Sequence, residues 1–138
     1  MQFELQNFLP YRLSLLTNTV SQGIASAYRD RFGISITEWR ILAVLGRYPE
    51  LTASEVAERT AMDKVSISRA VKTLKEKGLL ERTTDSGDRR RRRLRLTRDK
   101  GMPVLEKIIP QAADFEDHLL QALDQQEIEA FLRTLDKL

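Results

Sequence analysis

Cysteine is absent from this 138-residue chain, which removes a disulfide framework, a thiol redox switch and any cysteine-ligated zinc site. Long hydrophobic runs are absent too, and none approaches the roughly 20 residues needed to span a bilayer. The opening Met1-Gln2-Phe3-Glu4 lacks the basic region of a secretory signal, so a cytoplasmic protein with no membrane partner is expected. There is no glycine-rich phosphate loop, no nucleophile motif and no internal repeat. Histidine occurs once, as His118. A lone imidazole does not make a catalytic set, so neither an enzyme nor a cofactor is expected. His118 lies among Asp114, Glu116 and Asp117 and has two readings. Imidazole and carboxylate oxygens suit zinc, but a solvent-facing histidine on an acidic helix face is the commoner arrangement. No metal site is expected.

What the chain does have is positive charge concentrated in one segment. Its 23 Lys and Arg exceed its 20 Asp and Glu by only three. Residues 52–100, however, carry 15 basic side chains against 8 acidic, whereas residues 101–138 carry 3 against 8. A chain of this length makes one domain with a real core. A positive field confined to its middle is the footprint of a nucleic-acid partner.

That middle segment carries its own punctuation. Thr52-Ala53-Ser54-Glu55 has the capping-box spacing, in which Thr52 caps the Glu55 amide and Glu55 returns the bond. Val56, Ala57 and Thr60 follow at helical spacing, up to a turn at Ala61-Met62. A second helix starts from Asp63 as N-cap and ends at Gly78 as C′ glycine. Ile67, Ala70, Val71 and Leu74 form its buried stripe. The opposite face carries Val65, Ser68, Arg69 and Lys72, with Lys64, Ser66 and Thr73 at its edges. Such a polar, cationic face fits a major groove, where Arg or Lys reaches base edges or phosphates and Ser bonds to either. Arg69 and Lys72 lie nearest its centre. Thr52 and Ser54, at the start of the first helix, are placed to hold phosphate through hydroxyls, backbone amides and the helix dipole.

After Gly78 the period changes from helical to alternating. Leu79 to Thr84 reads as a strand, Asp85-Ser86-Gly87-Asp88 as a turn and Arg89 to Thr97 as the return strand. Leu94 and Leu96 alternate with Arg93, Arg95 and Thr97, so one face is expected to be apolar and the other basic. A charge block is commonly just solvated chain. Here the block begins at a turn and runs into a strand, so Arg89 to Arg93 are read as a hairpin tip suited to a narrow, negative minor groove, with Asp88, Arg89, Arg90, Arg91 and Arg92 as the wing's DNA-binding residues. Two short helices and an arginine-tipped hairpin make a winged helix-turn-helix.

These residues also carry a family resemblance. Ser66-Ile67-Ser68-Arg69, Leu74-Lys75-Glu76-Lys77-Gly78-Leu79, Asp88-Arg89-Arg90 and Leu96-Thr97 with Gly101 after them resemble the signature of MarR-type transcriptional regulators. In that family Asp-x-Arg, five residues and Leu-Thr mark the wing, and Asp88, Arg90, Leu96 and Thr97 match the spacing. The resemblance implies a minor-groove role for Arg90 and a bracing role for Asp88.

The flanks read as helices in need of a partner. Residues 8–31 form a long helical pattern with Pro10 in the first turn, and Leu9, Leu13, Leu16, Val20, Ile24 and Ala27/Tyr28 make its apolar stripe. Gly33 closes it, and Ser35-Ile36-Thr37-Glu38 offers another capping box. Trp39, Leu42, Ala43 and Leu45 line the helix that follows. Trp39 is first of all a core aromatic, with the lining of an effector pocket as the alternative. Tyr48-Pro49-Glu50-Leu51 is a turn leading to a short edge strand. A long helix is expected over about 102–122, with Pro103 in its first turn and Pro110 kinking it or breaking one bond. Asp124-Gln125-Gln126-Glu127 opens a last helix with Ile128, Phe131, Leu132, Leu135 and Leu138 on one side.

The expected fold is mainly α with a small β-hairpin wing: an N-terminal dimerisation helix over 1–34, a winged helix-turn-helix lobe over 35–100 and C-terminal dimerisation helices over 101–138. The expected function is sequence-specific binding of double-stranded DNA by a homodimer at a pseudo-palindromic operator. The family resemblance implies a transcriptional regulator, most often a repressor, responsive to a small aromatic or phenolic effector held between the dimer and DNA-binding lobes. The competing readings are a sequence-independent architectural nucleic-acid-binding protein and a ligand-insensitive interaction dimer.

Overall fold

The computed structural model of the chain describes residues 2–85 and 87–138, and for Asp85 and residues 88–91 the backbone alone. Its order is α1 (Leu9–Phe32), α2 (Ile36–Arg47), β1 (Leu51–Thr52), α3 (Ala53–Thr60), α4 (Lys64–Glu76), β2 (Leu80–Asp85), β3 (Asp88–Leu96), α5 (Gly101–Leu119) and α6 (Gln125–Lys137). The mainly helical, winged architecture read from the sequence is the one the chain adopts. Two compact units divide it, residues 1–105 and 106–138.

The first unit is built around side chains that meet from several elements. Ile41 and Leu42 of α2, Val56 of α3, Ile67, Val71 and Leu74 of α4 and Leu94 of β3 are each at most 1 % exposed. Burying one such aliphatic side chain stabilises the fold by roughly 1.5–3 kcal/mol, so this cluster is its main adhesive. The apolar stripe expected for α4 is the buried one: Ile67, Ala70, Val71 and Leu74 all face inward. Three antiparallel strands close the lobe in the order β1-β3-β2, with β3 in the middle. Leu51 stands opposite Leu94, and Leu80 opposite Leu96. The edge strand expected after Pro49 is therefore β1, entered through Glu50 at φ 66°.

Helix α1 ends where glycine permits a left-handed residue, at Gly33 with φ 65°. Its stripe is covered at one end only. Tyr28 is buried, while Leu9, Leu13 and Leu16 remain 55 %, 38 % and 50 % exposed. Ser35 and Glu38 form the full capping box of α2, with Glu38 N–H donating to Ser35 Oγ at 3.2 Å and Ser35 N–H to Glu38 Oε2 at 2.9 Å.

In the second unit α5 runs on through Pro110, which stands inside the helix without ending it. The helix stops at Leu119, a little before the expected boundary, and α6 starts from the Asp124–Glu127 capping box. Phe131, Leu132 and Leu135 on α6 and Leu138 just after it are exposed. His118 is exposed as well, its Nδ1 donating to Asp114 O at 2.8 Å, the solvent-facing arrangement favoured from sequence.

Candidate nucleic-acid interface

The helix-turn-helix is framed by its caps. Glu55 N–H donates to Thr52 Oγ1 at 3.2 Å, as expected, but the return bond differs. Glu55 Oε1 accepts from the Thr52 hydroxyl at 3.0 Å and leaves the Thr52 amide alone. Thr52 is also the last residue of β1, opposite Arg93, so its backbone belongs to the strand while its hydroxyl serves the helix. That hydroxyl is engaged with Glu55, whereas Ser54 is exposed on the first turn of α3. The turn is made by Ala61 at φ 54°, a left-handed conformation in a residue with a Cβ. Met62 N–H then reaches back to Ala57 O at 3.2 Å.

Asp63 caps α4 with both carboxylate oxygens. Oδ1 accepts from Ser66 N–H at 2.8 Å and Oδ2 from the Ser66 hydroxyl at 2.8 Å. The amide and hydroxyl bonds from Ser66 hold the Asp63 carboxyl below its ordinary pKa. They also commit the Ser66 hydroxyl proton to the cap, while Ser66 shares the wall of a shallow groove with Arg69 and Thr73. Lys64, Val65, Ser68, Arg69 and Lys72 are all exposed, so this part of the expected recognition surface is assembled on one side of α4. Val65 stands out at 61 % exposure, an apolar side chain left on a cationic face, where it suits contact with a thymine methyl group.

Sequence reasoning missed Arg82. It lines one groove, of about 620 Å³, together with Ser68, Arg69, Lys72, Lys75 and Glu76. The signal was present in the strand alternation. Arg82 follows Leu80 on the sheet face that packs on the helices, opposite Leu94, and becomes exposed where the sheet outgrows the core. Arg92, opposite Thr84, lies on that same face and is exposed.

The expected division of the hairpin into one apolar and one basic face needs correction. The face bearing Leu94 and Leu96 becomes basic toward the tip, at Arg82 and Arg92. Among the described residues the other face uses its arginines structurally. Arg95 Nε donates to Glu81 Oε1 at 2.6 Å, with its guanidinium 3.9 Å from Glu50, and Arg93 donates to Glu50 O at 3.0 Å. Opposite charges directly across the strands stabilise the pair and reduce the positive field there. The backbone of residues 88–91 continues β3 up to the tip, while the side chains of Asp88, Arg89, Arg90 and Arg91 lie outside the described residues.

At its base the wing is tied to the end of α4. Thr97 Oγ1 donates to Gly78 O at 2.7 Å and accepts from Gly101 N–H at 2.8 Å. A Cβ at Gly101 would run into the carbonyl of Leu79, which explains a glycine at this place without any appeal to flexibility.

Trp39 is half-buried and meets the buried Tyr28 edge to face, with ring centroids 5.5 Å apart. Burial pushes the Tyr28 phenol up from its ordinary pKa. The core reading of Trp39 is the one this contact supports. A separate cavity of about 950 Å³ is lined by Leu45, Leu96, Met102, Arg95 and Arg98 among others, and Trp39 is not part of its wall. Among the described residues no group of three His, Cys, Asp or Glu is arranged to hold a metal, and no helix is long and apolar enough to cross a membrane.

Comparison with known proteins agrees with this geometry. The model of the MarR family matches residues 32–91. A MarR family transcriptional regulator from Silicibacter pomeroyi is 31 % identical, with 96 % of this chain and 88 % of that one covered and a TM-score of 0.82. A MarR/EmrR family transcriptional regulator from Acinetobacter sp. ADP1 is 28 % identical over 98 % of this chain and 94 % of its own, with a TM-score of 0.89. BpsR of Bordetella bronchiseptica, whose DNA binding is regulated by 6-hydroxynicotinic acid, shares the fold at a TM-score of 0.90 and 20 % identity, over 99 % and 96 % of the two chains.

Proposed function

The chain belongs to the MarR family of transcriptional regulators, and on that footing we propose that it is a sequence-specific DNA-binding repressor acting as a homodimer in the cytoplasm. One observation carries the reading: α4 presents Ser68, Arg69 and Lys72 outward beside Arg82 of the wing, on a lobe whose inner faces are filled. Helix α4 would enter a major groove, and residues 85–93 would follow the flanking minor groove or its backbone. In this reading exposed Ser54 and the amides at the start of α3 not taken by the Thr52 cap would hold a phosphate. The uncovered stripes of α1 and α6 supply the apolar surface from which a second copy gains its hold. Two-fold symmetry would set the recognition helices about one DNA turn apart, roughly 34–36 Å, or a multiple of it.

Regulation of the Bordetella protein by a small aromatic acid supports the same class of effector here. Such a ligand would act by preferring the dimer whose recognition helices are wrongly spaced for the operator.

Selection from a random duplex pool tests the proposal, followed by titration of the winning duplex and a scrambled control at two salt concentrations. An enriched inverted repeat, bound at least about a thousandfold more tightly than the control, is expected. Salt-sensitive binding with no enriched motif would replace this reading with an architectural one, and absence of binding would leave an interaction dimer.

A further inference from the structure

Lys77 takes no part in the DNA-facing surface, yet it joins three helices. As the C-cap of α4, it donates from its ammonium to Gly33 O at 2.6 Å and to Glu38 Oε1 at 3.0 Å. Gly33 is the C-cap of α1, and Glu38 is the third residue of α2, whose other carboxylate oxygen already accepts the Ser35 amide. One ammonium thus connects the last turn of the recognition helix to partners 44 and 39 positions away in the chain. Its placement is electrostatically consistent on both sides. The carbonyl end of a 24-residue helix attracts a cation, and the Glu38 side chain is only 7 % exposed, so its charge is poorly served by water. Without Lys77, Glu38 Oε1 would lose its ammonium partner at a buried site, a heavier loss than that of a surface ion pair.

Close-packed apolar contacts set how near α2 and α4 approach. The Lys77 ammonium, held at once by a backbone carbonyl and a carboxylate, adds a directional, charge-assisted tie from the end of α4 to both α1 and α2. Helix α1 bears the uncovered stripe, and α4 bears the DNA-facing side chains, so whatever fixes α4 against the α1–α2 junction also fixes where α4 stands in a dimer. We infer that Lys77, acting through Gly33 and Glu38, is a positioning residue that sets the separation of the two recognition helices. This rests on the dimeric-regulator reading above.

The lack of cysteine allows a single Lys75→Cys to carry one spin label on the exposed side of α4 in each subunit. Pulsed dipolar spectroscopy of the full chain is expected to give one narrow distance distribution in the parent. Lys77→Met should broaden it about twofold or shift it by several ångströms, on the scale of the ~3.4 Å per base pair that a half-site moves. Glu38→Gln, which removes the charge from the other side, should do the same to a lesser degree, and Lys77→Arg should restore part of the narrowness. With Lys75 intact and no label, on duplexes whose half-sites are moved apart by one base pair, a penalty of about tenfold in the unsubstituted chain should fall below about threefold in Lys77→Met. Should Lys77→Met fail to fold, Glu38→Gln reads the same quantities. A lowered melting temperature with unchanged distance width and spacing preference in the variants would overturn the inference and leave the regulator intact. No dipolar signal in the parent would instead remove the dimer, and this inference with it.

Discussion

Arg69 and Arg82 reach the same groove from different elements, and their positions predict different consequences. Arg69 lies near the centre of the outward face of α4, where a guanidinium can pair with a guanine edge. Arg69→Ala should relax base preference at one position per half-site by about 1–3 kcal/mol, as read by titrating single-base variants of the selected duplex. Arg82, on the strand, is better placed for phosphate. Arg82→Ala should weaken all sequences alike and reduce the salt slope by about one. Uniform loss for Arg69→Ala would make it a phosphate contact too. Asp63 gives a pH prediction. Its folded-state pKa is depressed by the bonds from Ser66, so its contribution is fully present above the ordinary carboxylate range and is lost as pH falls through the folded value. The melting temperature of Asp63→Ala should lie below that of the parent at pH 7, and the gap should close in acid. A gap that stays constant down to pH 2 would show that the cap bonds are not its source.

At the scale of elements, helix ends were legible because their signals are local. Gly33, Ser35 with Glu38, Asp63, Gly78 and Asp124 with Glu127 all act within a few residues of themselves, and all stand where the sequence placed them. Ala61 was legible as a turn but not as a left-handed residue, since alanine carries no such signal. The wing was legible in its strands and not in its charge, because which arginine meets Glu50 or Glu81 depends on register and on β1, both non-local. Gly101→Ala belongs here. Its Cβ would collide with the Leu79 carbonyl at the junction of α4, β2 and α5. The expected loss is about 1–3 kcal/mol of stability by denaturant titration, and a loss below a few tenths would mean that the junction yields freely.

For the whole molecule, the unmet surface is the informative quantity. Leu9, Leu13 and Leu16 on α1, and Phe131, Leu132 and Leu135 on α6, are left between 38 % and 55 % exposed. Exposed apolar surface of this kind is what the proposed dimer would cover. Leu16→Glu should convert the protein to monomer in sedimentation, and by removing one half-site from each binding event it should weaken operator binding at least about a hundredfold. A dimer that survives both Leu16→Glu and Leu135→Glu would place the association elsewhere.

By itself the sequence determined the order and type of the elements, the face of α4 that is buried and the segment that carries the positive field. These follow from periodicity, caps and charge, which neighbouring residues express without help from the rest of the chain. Only the tertiary structure decided that Arg82 joins the groove along α4, that Arg93 and Arg95 bond to Glu50 and Glu81, and that Lys77 ties α4 to α1 and α2. Arg82 was foreshadowed by strand alternation, but which groups meet it, and which groups Arg93, Arg95 and Lys77 meet, depends on how the elements pack and on the strand register, from 14 positions apart for Arg95 and Glu81 to 44 for Lys77 and Gly33. The apolar stripes of α1 and α6 lie between the two cases: the sequence shows that they exist, and folding shows that one chain leaves them uncovered.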